Sequence, residues 1–566
     1  MGINYFKEFK PKTISILQKK GYNLNNLISD IVSGLIVAII ALPLSMAFAI
    51  ASGASPEKGL YTAIVGGMII SLLGGSRYQV GGPAGAFIVV VYGIIYRQGF
   101  DGLLIAGFMS GLILLLIGFF KLGSVIKFIP YPVTKGFSAG IAVIIFVTQL
   151  NDFFGMEIKK VPSEFIEKIV VYAENLHRID FYTTLVGLLS IFIIIFSKKI
   201  TLKVPGPFLA VVFGIVSVYL FNLPVETIQD RFGSIPNNLP SPTLPVLSLE
   251  KIRLLLPDAI TLAVLGAIES LLSAVVADSM TGDKHRSNIE LVAQGVANMV
   301  VPLFQGIPAT GTIARTATNI KNGAFSPLSG VFHSLWVLIF MLLLSPLIVK
   351  IPFATLGAIL IIVSYNMSEI EHIKKLFKSP KSDIAVFLTT FILTVIIDLN
   401  VAVQAGMILS VLLFMRRIIN ITEVRELNLS LDKTEEFIDD TLEDKDAIYN
   451  KNVPKGVDVY ELNGPFFFGV AEKVKNMLIS LNINPKIFIL RMRNVPMVDA
   501  TGMHALIEIC SSYKKRGITV ILSGVSDYVR SLLIKGGVHE IIGEENIVDH
   551  IDKALELAER YLIKRG

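Results

Sequence analysis

The stretch QGIPATGTIARTATNIKNG, residues 305–323, combines one arginine with a row of hydroxyl and amide side chains, and apolar runs flank it on both sides. On a helix, positions i, i+3, i+4 and i+7 share one face, and here they carry Thr312, Arg315, Thr316 and Asn319. A polar face at membrane depth must contact protein or water. The pattern therefore predicts a buried guanidinium group that can bind an anion.

A carboxylate lies inside a neighbouring apolar run. Glu269 stands in LGAIESLLSAVVAD, and Ser273 follows one turn later on the same face. A lone arginine at membrane depth costs from ~2.5 to above 10 kcal/mol, so Arg315 needs an anionic neighbour, either a substrate or Glu269. In one interpretation the two residues form a static ion pair that orients helices. In the other, Glu269 neutralises Arg315 until it takes up a proton, which predicts H⁺/anion symport.

Glycine–proline breaks precede two of the short segments. GGPAGAF (Gly81–Phe87) and GIPATGT (Gly306–Thr312) place Pro83 and Pro308 just after non-helical residues. Proline is tolerated in the first helical turn, so each is expected to begin a half-helix. Two opposed half-helix N-termini would offer free amides and positive dipole ends to one anion. The alternatives are that the breaks are simple kinks and that the threonines only bond helices together.

The elements that must position these residues have the composition of a membrane protein. The chain has 566 residues, of which 53% are hydrophobic and 17% charged, whereas soluble proteins carry about 25% charged residues. About fourteen apolar runs precede residue 420, several of them too short to span alone. Seven of these runs precede a break near residue 225, and seven follow it. Because each half has an odd number of runs, the two halves must insert into the membrane with opposite orientations. This predicts an α-helical membrane protein with a 7+7 inverted repeat.

Basic residues indicate the orientation of the segments. Counted from a cytoplasmic amino end, every predicted inside loop contains lysine or arginine, for example Arg77, Lys321 and Arg416. The longer outside loops, 148–180 and 222–256, carry mixed charge. We therefore expect a multi-pass protein of the cell (inner) membrane with both termini in the cytoplasm.

The composition changes after Arg417. The acidic stretch 432–446 indicates a solvated linker, and from Val457 strands alternate with helices, which implies a small sheet covered by helices. The predicted parts are a cytoplasmic tail, a transmembrane transporter domain, an acidic linker and a small α/β domain, at 1–28, 29–420, 421–455 and 456–566.

The sequence lacks the motifs that are typical of several other classes of protein. The lone cysteine, Cys510, excludes an intramolecular disulfide framework. There is no HExxH or CxxC metal motif and no GxxxxGK[ST] phosphate loop. We expect no cofactor, no metal, no enzymatic activity and no nucleic-acid partner. The net charge of +6 is attributed to loops that face anionic lipid.

These motifs together resemble the sulfate permease (SulP) anion transporters, the family that includes prestin and pendrin. Ala41–Gly67 is similar to the family's first helix and the following loop, SRYQVGGPAGAF to its third segment, and GIPATGTIARTATNIKNG to its tenth. VDATG (Val498–Gly502) stands where the STAS domain, the sulfate transporter and anti-sigma-factor antagonist module, has its Asp-Ser/Thr-Gly loop.

The resemblance implies core and gate domains, a homodimer, a cytoplasmic STAS domain, and a substrate between the first, third, eighth and tenth segments. The eighth segment would contribute Glu269, which is also the predicted proton-coupling residue. Ser273, Thr316 and Asn319 are predicted to be supporting polar residues. Leu44 and Ala84 depart from sulfate-type members, and Arg315 departs from Na⁺-dependent bicarbonate members. The implied substrate-binding residues are Phe48, Pro83, Ala84, Gly85, Gly311, Thr312, Ile313, Ala314 and Arg315.

The expected function is secondary active transport of a small anion, a sulfate-like oxyanion or a carboxylate, by H⁺ symport and alternating access. The alternatives are Na⁺-dependent bicarbonate symport, C4-dicarboxylate transport, an anion channel or exchanger, a voltage-responsive element, and a scaffold for a partner at the STAS domain. Thr501 follows a strand and opens a helix. It is either the N-cap or, with Asp499, a regulatory position.

Overall fold

The structure is a computed structural model that divides into two compact units, Met1–Ser410 and Val411–Gly566. Most of the predicted acidic linker, including all of 432–446, lies outside the described residues. So does much of the predicted basic tail. The structure describes residues 9–18, 22–123, 130–158, 161–162, 164–200, 204–236, 238–245, 248–397, 399–426, 448, 451–480 and 485–565.

The first unit is mostly α-helical, and its last helix continues past Ser410. Among the described residues, seven helices are long and apolar enough to cross a membrane. In chain order the helices are α1 (Lys12–Leu17), α2 (Leu24–Ala51), α3 (Pro56–Tyr61), α4 (Gly67–Leu73), α5 (Ile88–Phe119), α6 (Tyr131–Phe154), α7 (Phe165–Glu174), α8 (Phe181–Ile200), α9 (Gly206–Phe221), α10 (Ile228–Phe232), α11 (Leu249–Thr281), α12 (Ser287–Val300), α13 (Ile313–Lys321), α14 (Leu328–Ile348), α15 (Phe353–Ser368), α16 (Ile370–Leu376), α17 (Lys381–Ile396) and α18 (Leu399–Ile421).

Several helices are too short to cross a bilayer alone. Helix α13 has nine residues, which extend about 14 Å at 1.5 Å per residue, against about 30 Å of hydrocarbon. Helix α5 contains two helical parts joined at Gly99, where φ is +70°. A residue other than glycine would be strained in that conformation, so Gly99 lets the chain turn back.

Two extended segments from the two halves of the first unit pair with each other. Gly81–Gly82 (β1) is antiparallel to Thr310–Gly311 (β2), with Gly81 opposite Gly311. The prediction that Pro83 and Pro308 begin half-helices is wrong, because the backbone around both prolines is extended. A 3₁₀ turn begins only at Gly85, and α13 begins only at Ile313.

The second unit contains a four-stranded sheet in the order β3 (Glu423–Glu426), β4 (Val457–Asn463), β5 (Ile487–Asn494) and β6 (Thr519–Ser523). Strand β3 runs antiparallel to β4, and the other neighbours are parallel. The sequence predicted the last three strands but not β3, whose four residues EVRE have no apolar pattern. The remaining helices are α19 (Phe468–Ser480), α20 (Ala500–Lys515), α21 (Asp527–Lys535), α22 (Val538–Ile542) and α23 (Ile551–Arg565).

Side chains on β5 alternate between two apolar clusters. Phe488 and Leu490 belong to one cluster, and Ile487 and Ile489 belong to the other. Successive residues of a strand point to opposite faces of a sheet. Both faces of this sheet are therefore covered, as expected for parallel strands.

Candidate anion-binding site

Arg315 lies in the first turn of α13 and is only 3% exposed. Its Nη2 atom donates to Ser45 Oγ at 3.0 Å and to the Pro83 carbonyl at 3.3 Å. Its Nη1 atom donates to the Gly81 carbonyl at 3.4 Å. All three acceptors are neutral. Within the described parts of the chain, the guanidinium group has no carboxylate partner, so its charge is not compensated.

Gly82 makes room for this arginine. A Cβ atom at Gly82 would lie 1.8 Å from Nη1 of Arg315 and 3.1 Å from its Cζ atom. The first distance is far shorter than any van der Waals contact. The glycine in β1 therefore permits a side chain from the other half of the unit to reach across the pair of strands.

The predicted residues of the first half lie together. Ala84 is 8% exposed, and Phe48, on α2, is 6% exposed. A Cβ atom built at Gly85 would lie 3.6 Å from a ring carbon of Phe48. The same position is 3.8 Å from Ile145 on α6 and from Met367 on α15. The start of the first half-helix is therefore close to α2, α6 and α15.

The predicted residues of the second half surround the start of α13. The Thr312 amide donates to the Val80 carbonyl at 3.1 Å, and its hydroxyl approaches the same oxygen at 3.4 Å. Among the described residues, the amides of Ile313 and Ala314 donate to no backbone carbonyl. These are the free donors expected in the first turn of a helix. Gly311 is buried, and the side chain of Ala314 is exposed.

Ser273, Thr316 and Asn319 fasten α13 to its neighbours. The Ser273 hydroxyl donates to Thr316 Oγ1 at 3.0 Å, and the Val80 amide donates to the same oxygen at 3.1 Å. Asn319 Nδ2 donates to the Tyr78 carbonyl at 2.9 Å. All three side chains are fully buried. They therefore hold the helix that carries Arg315, in the bonding role that was one alternative for the threonine row.

Glu269 does not pair with Arg315. It is partly buried on α11, beside a cavity of about 20 Å³ that α6 and α18 also line. Within the described parts of the chain it has no salt bridge. The charges that act on it are those of Lys135 and Glu369, which form a salt bridge with each other. The predicted neutralisation of Arg315 by Glu269 is wrong, because the Glu269 side chain faces α6 while Arg315 points to α2 and β1.

Three buried polar residues of this region were not predicted from the sequence. Ser45 accepts a hydrogen bond from Arg315. Gln79 is 3% exposed, and neither polar atom of its side chain is bonded within the described residues. His333, on α14, is fully buried and interacts electrostatically with Arg315. Ser45 and Gln79 lie inside quoted motifs, so the motifs themselves were a usable signal.

In the second unit, Asp499 is the N-cap of α20. Its Oδ1 accepts from the Gly502 amide at 2.7 Å, and its Oδ2 accepts from the Phe468 amide at 3.0 Å. The interpretation of Thr501 as the N-cap is wrong, because the helix already begins at Ala500. Thr501 is exposed, and a regulatory role stays a prediction. Burial raises the pKa of the Cys510 thiol to about 12.

Comparison with known proteins finds a family model for each part of the chain. The model of the sulfate permease family matches residues 27–390, and that of the STAS domain matches 449–554. The chain is 40% identical over 536 residues to the putative sulfate transporter YvdB of Bacillus subtilis, covering 94% of this chain and 98% of that protein. It is 29% identical over 551 residues to the bicarbonate transporter BicA of Synechocystis sp., covering 94% of each.

Solved structures show the same fold. Murine Slc26a9, an anion transporter in the inward-facing state, matches with a TM-score of 0.85 at 20% identity, covering 99% of this chain and 95% of that chain. The transmembrane domain of a cyanobacterial BicA matches with a TM-score of 0.61 at 30% identity, covering 69% of this chain and 98% of that domain. The predicted 7+7 inverted repeat is confirmed. The chain belongs to the sulfate permease family of anion transporters, which are not enzymes, and it carries a STAS domain.

Proposed function

We propose that this protein carries a small oxyanion across the cell membrane by alternating access, with H⁺ as the coupling ion. The observation that carries the proposal is the environment of Arg315, a buried guanidinium group with only neutral partners among the described residues. A buried charge is strongly unfavourable without a counter-charge. A substrate anion would supply that counter-charge.

Backbone groups would make most of the remaining contacts with the anion. The free amides of Ile313 and Ala314 lie at the start of α13, where the helix dipole favours negative charge. Gly85 and Phe48 bring the start of the other half-helix to the site. Ala84 offers no hydroxyl group. A site built from amides and one guanidinium group would select for charge and size rather than for one particular anion.

Sulfate and bicarbonate are the two leading candidates for the oxyanion. The relative YvdB is named as a putative sulfate transporter, and it is 40% identical to this chain. BicA is named as a bicarbonate transporter, and its transmembrane domain is 30% identical to this chain. The higher identity favours sulfate, and Arg315 favours a site that needs no structural cation.

Glu269 is our candidate for proton coupling, by a route that does not involve an ion pair with Arg315. Its carboxyl group lies beside a cavity of about 20 Å³ and has no salt bridge in the described part of the chain. Burying an unpaired carboxylate is unfavourable, and a proton that enters with the anion would remove the charge. Both termini would lie in the cytoplasm, and the protein would form a homodimer as the family resemblance implies.

Uptake into proteoliposomes by Arg315 variants tests the anion site. We expect Arg315→Gln to lower the uptake of radiolabelled sulfate or bicarbonate at least about tenfold at every pH, because the counter-charge is lost. Arg315→Lys should be intermediate, since it keeps the charge but not the planar fork. Lys321→Gln, at the exposed far end of the same helix, is the matched control. Normal uptake by Arg315→Gln would refute the proposed site.

A competition panel identifies the substrate and the coupling ion. Unlabelled sulfate, bicarbonate, chloride and C4-dicarboxylates are compared as competitors in the same vesicles. Uptake is then driven either by a pH gradient or by a Na⁺ gradient. If only the Na⁺ gradient drives accumulation, H⁺ symport is wrong and the alternative of Na⁺-dependent bicarbonate symport is supported.

A further inference from the structure

A cavity of about 580 Å³ lies beside the first half of α5. Helices α2, α6, α7, α11 and α17 contribute to the other walls. The charges of the loops predict that this end of α5 faces the outside of the cell. Because the cavity extends along α5 from Ile88 to Arg97, it spans about 14 Å. Its inner end begins three residues after Gly85, so it leads towards the site described above.

One cation in this cavity has no anionic partner. Lys168, on α7, is 4% exposed, and its Nζ atom lies 5.4 Å from the centre of the Tyr92 ring. Within the described residues, its side chain forms neither a salt bridge nor a hydrogen bond. The other cation lining the cavity, Arg97, is already paired with Asp258 at 2.9 Å. Lys168 is therefore a buried ammonium group that faces a cavity large enough for an anion.

We propose that this cavity is a second, outer anion-binding site, in which the Lys168 ammonium group binds the anion before it reaches Arg315. The ligand class is a small inorganic anion, because one ammonium group on a flexible stem is a point charge without the geometry for larger acids. Identifying the ligand with the transported anion rests on the proposed function. The existence of the site does not, because no residue that contacts Arg315 lines the cavity.

The site has a built-in dependence on external pH. Burial lowers the pKa of Lys168 to about 8. The ammonium form is present below that pH and is lost as the pH rises through it. The other titratable or charged groups that line the cavity are Tyr92, Tyr96, Arg97, Asp258 and Glu164. Of these, Arg97 and Asp258 neutralise each other. Glu164 is exposed and forms no salt bridge with Lys168 within the described residues. Anion capture should therefore weaken as the external pH rises above about 8.

Chemical protection of the lysine tests the site without relying on transport. Intact cells that express the full chain are treated with a membrane-impermeant amine reagent, with and without external sulfate, bicarbonate or chloride. Modification of Lys168 is measured by mass spectrometry across pH. We expect at least one of these anions to slow modification several-fold below pH about 8. Lys251, exposed at the start of α11 on the same side, should show no such protection.

Variants distinguish the outer site at Lys168 from the proposed site at Arg315. Lys168→Gln should raise the KM for external anion about tenfold with little change in maximal rate, while Lys168→Arg should keep a low KM and lose the dependence on pH near 8. Lys251→Gln should leave both values unchanged. Protection of Lys168 that persists in Arg315→Gln supports the outer site whether or not the Arg315 proposal stands. The outer site is refuted if none of the three anions protects Lys168. Its role in delivering the transported anion is refuted if Lys168→Gln has the KM of the unmodified chain.

Discussion

Buried charged residues of the first unit fall into two groups, according to whether they have partners. Asp30 is fully buried and accepts from the amides of Phe325 and Ser326. Glu290 is also fully buried and accepts from two backbone amides. Arg315, which is buried, and Glu269, which is partly buried, have no such compensation within the described residues. Charges that are buried and satisfied stabilise a fold, whereas those that lack a partner are candidates for binding and coupling.

Glu269→Gln should separate transport from its coupling to protons. The amide has nearly the same shape but cannot titrate, so we expect anion uptake to continue while acid-driven accumulation falls to the equilibrium level. The measurement is the accumulation ratio in proteoliposomes under a fixed pH gradient. Glu250→Gln, exposed in the first turn of the same helix, is the control. Undiminished acid-driven accumulation in Glu269→Gln would exclude this residue as the coupling site.

At the scale of elements, the central feature is the pairing of β1 with β2. It joins chain segments about 230 residues apart, with Gly82 opposite Thr310. Arg315 crosses the same pair and bonds to two carbonyls of the first segment. The two half-helices therefore do not simply face each other across an empty space. The extended segments that precede them are bonded together, and this fixes the distance between the starts of the two half-helices.

Gly82→Ala should disable the site through its backbone. The added Cβ atom would lie 1.8 Å from Nη1 of Arg315, so the guanidinium group must move. Displacing a binding group by about 1 Å can lower a rate a hundredfold, and we expect a loss of at least about tenfold in uptake. Gly357→Ala is the control, because its nearest neighbour would be 3.5 Å from the new atom.

A loss of uptake in Gly82→Ala supports this explanation only if the variant is folded. Size-exclusion profiles and thermal unfolding in detergent provide that check for both glycine variants. If Gly82→Ala is folded and transports normally, Arg315 does not need its present position.

The sequence predicted which residues share a face but not which neighbour that face contacts. The spacing of Thr316 and Asn319 identified buried positions on α13, because helical periodicity is independent of context. It could not show that Glu269 faces α6, since α11 has protein on more than one side. It also could not locate β1 and β2. A strand of two residues has no periodicity to detect, so the start of α13 was placed too early, at Pro308 instead of Ile313.

On the scale of the whole molecule, the candidate transport residues and the candidate regulatory residues belong to different units. All residues near Arg315 lie within Met1–Ser410, and Asp499 and Thr501 lie within Val411–Gly566. The second unit has its own sheet and two apolar clusters. In the first unit and its continuation, the Val401–Asn420 segment is only 11% buried. Its apolar surface is available for lipid or for the second copy in the predicted homodimer.

A chain truncated after Ile421 should still transport. Domains with separate cores generally fold independently, so we expect the KM for anion to stay within about twofold of the full chain. The purified truncated protein is reconstituted at matched protein density and compared with the full chain. A folded but inactive truncation would show that the STAS domain takes part in transport itself.

The long separation between β1 and β2 also affects how the protein can be made. Gly82 leaves the ribosome about 230 residues before Gly311, the last residue of its partner strand. Until then, the backbone groups of β1 have no strand to bond with, and lipid cannot satisfy them. In a nascent chain that stalls between the two repeats, these backbone groups stay unbonded. We expect membrane proteases to degrade such a chain.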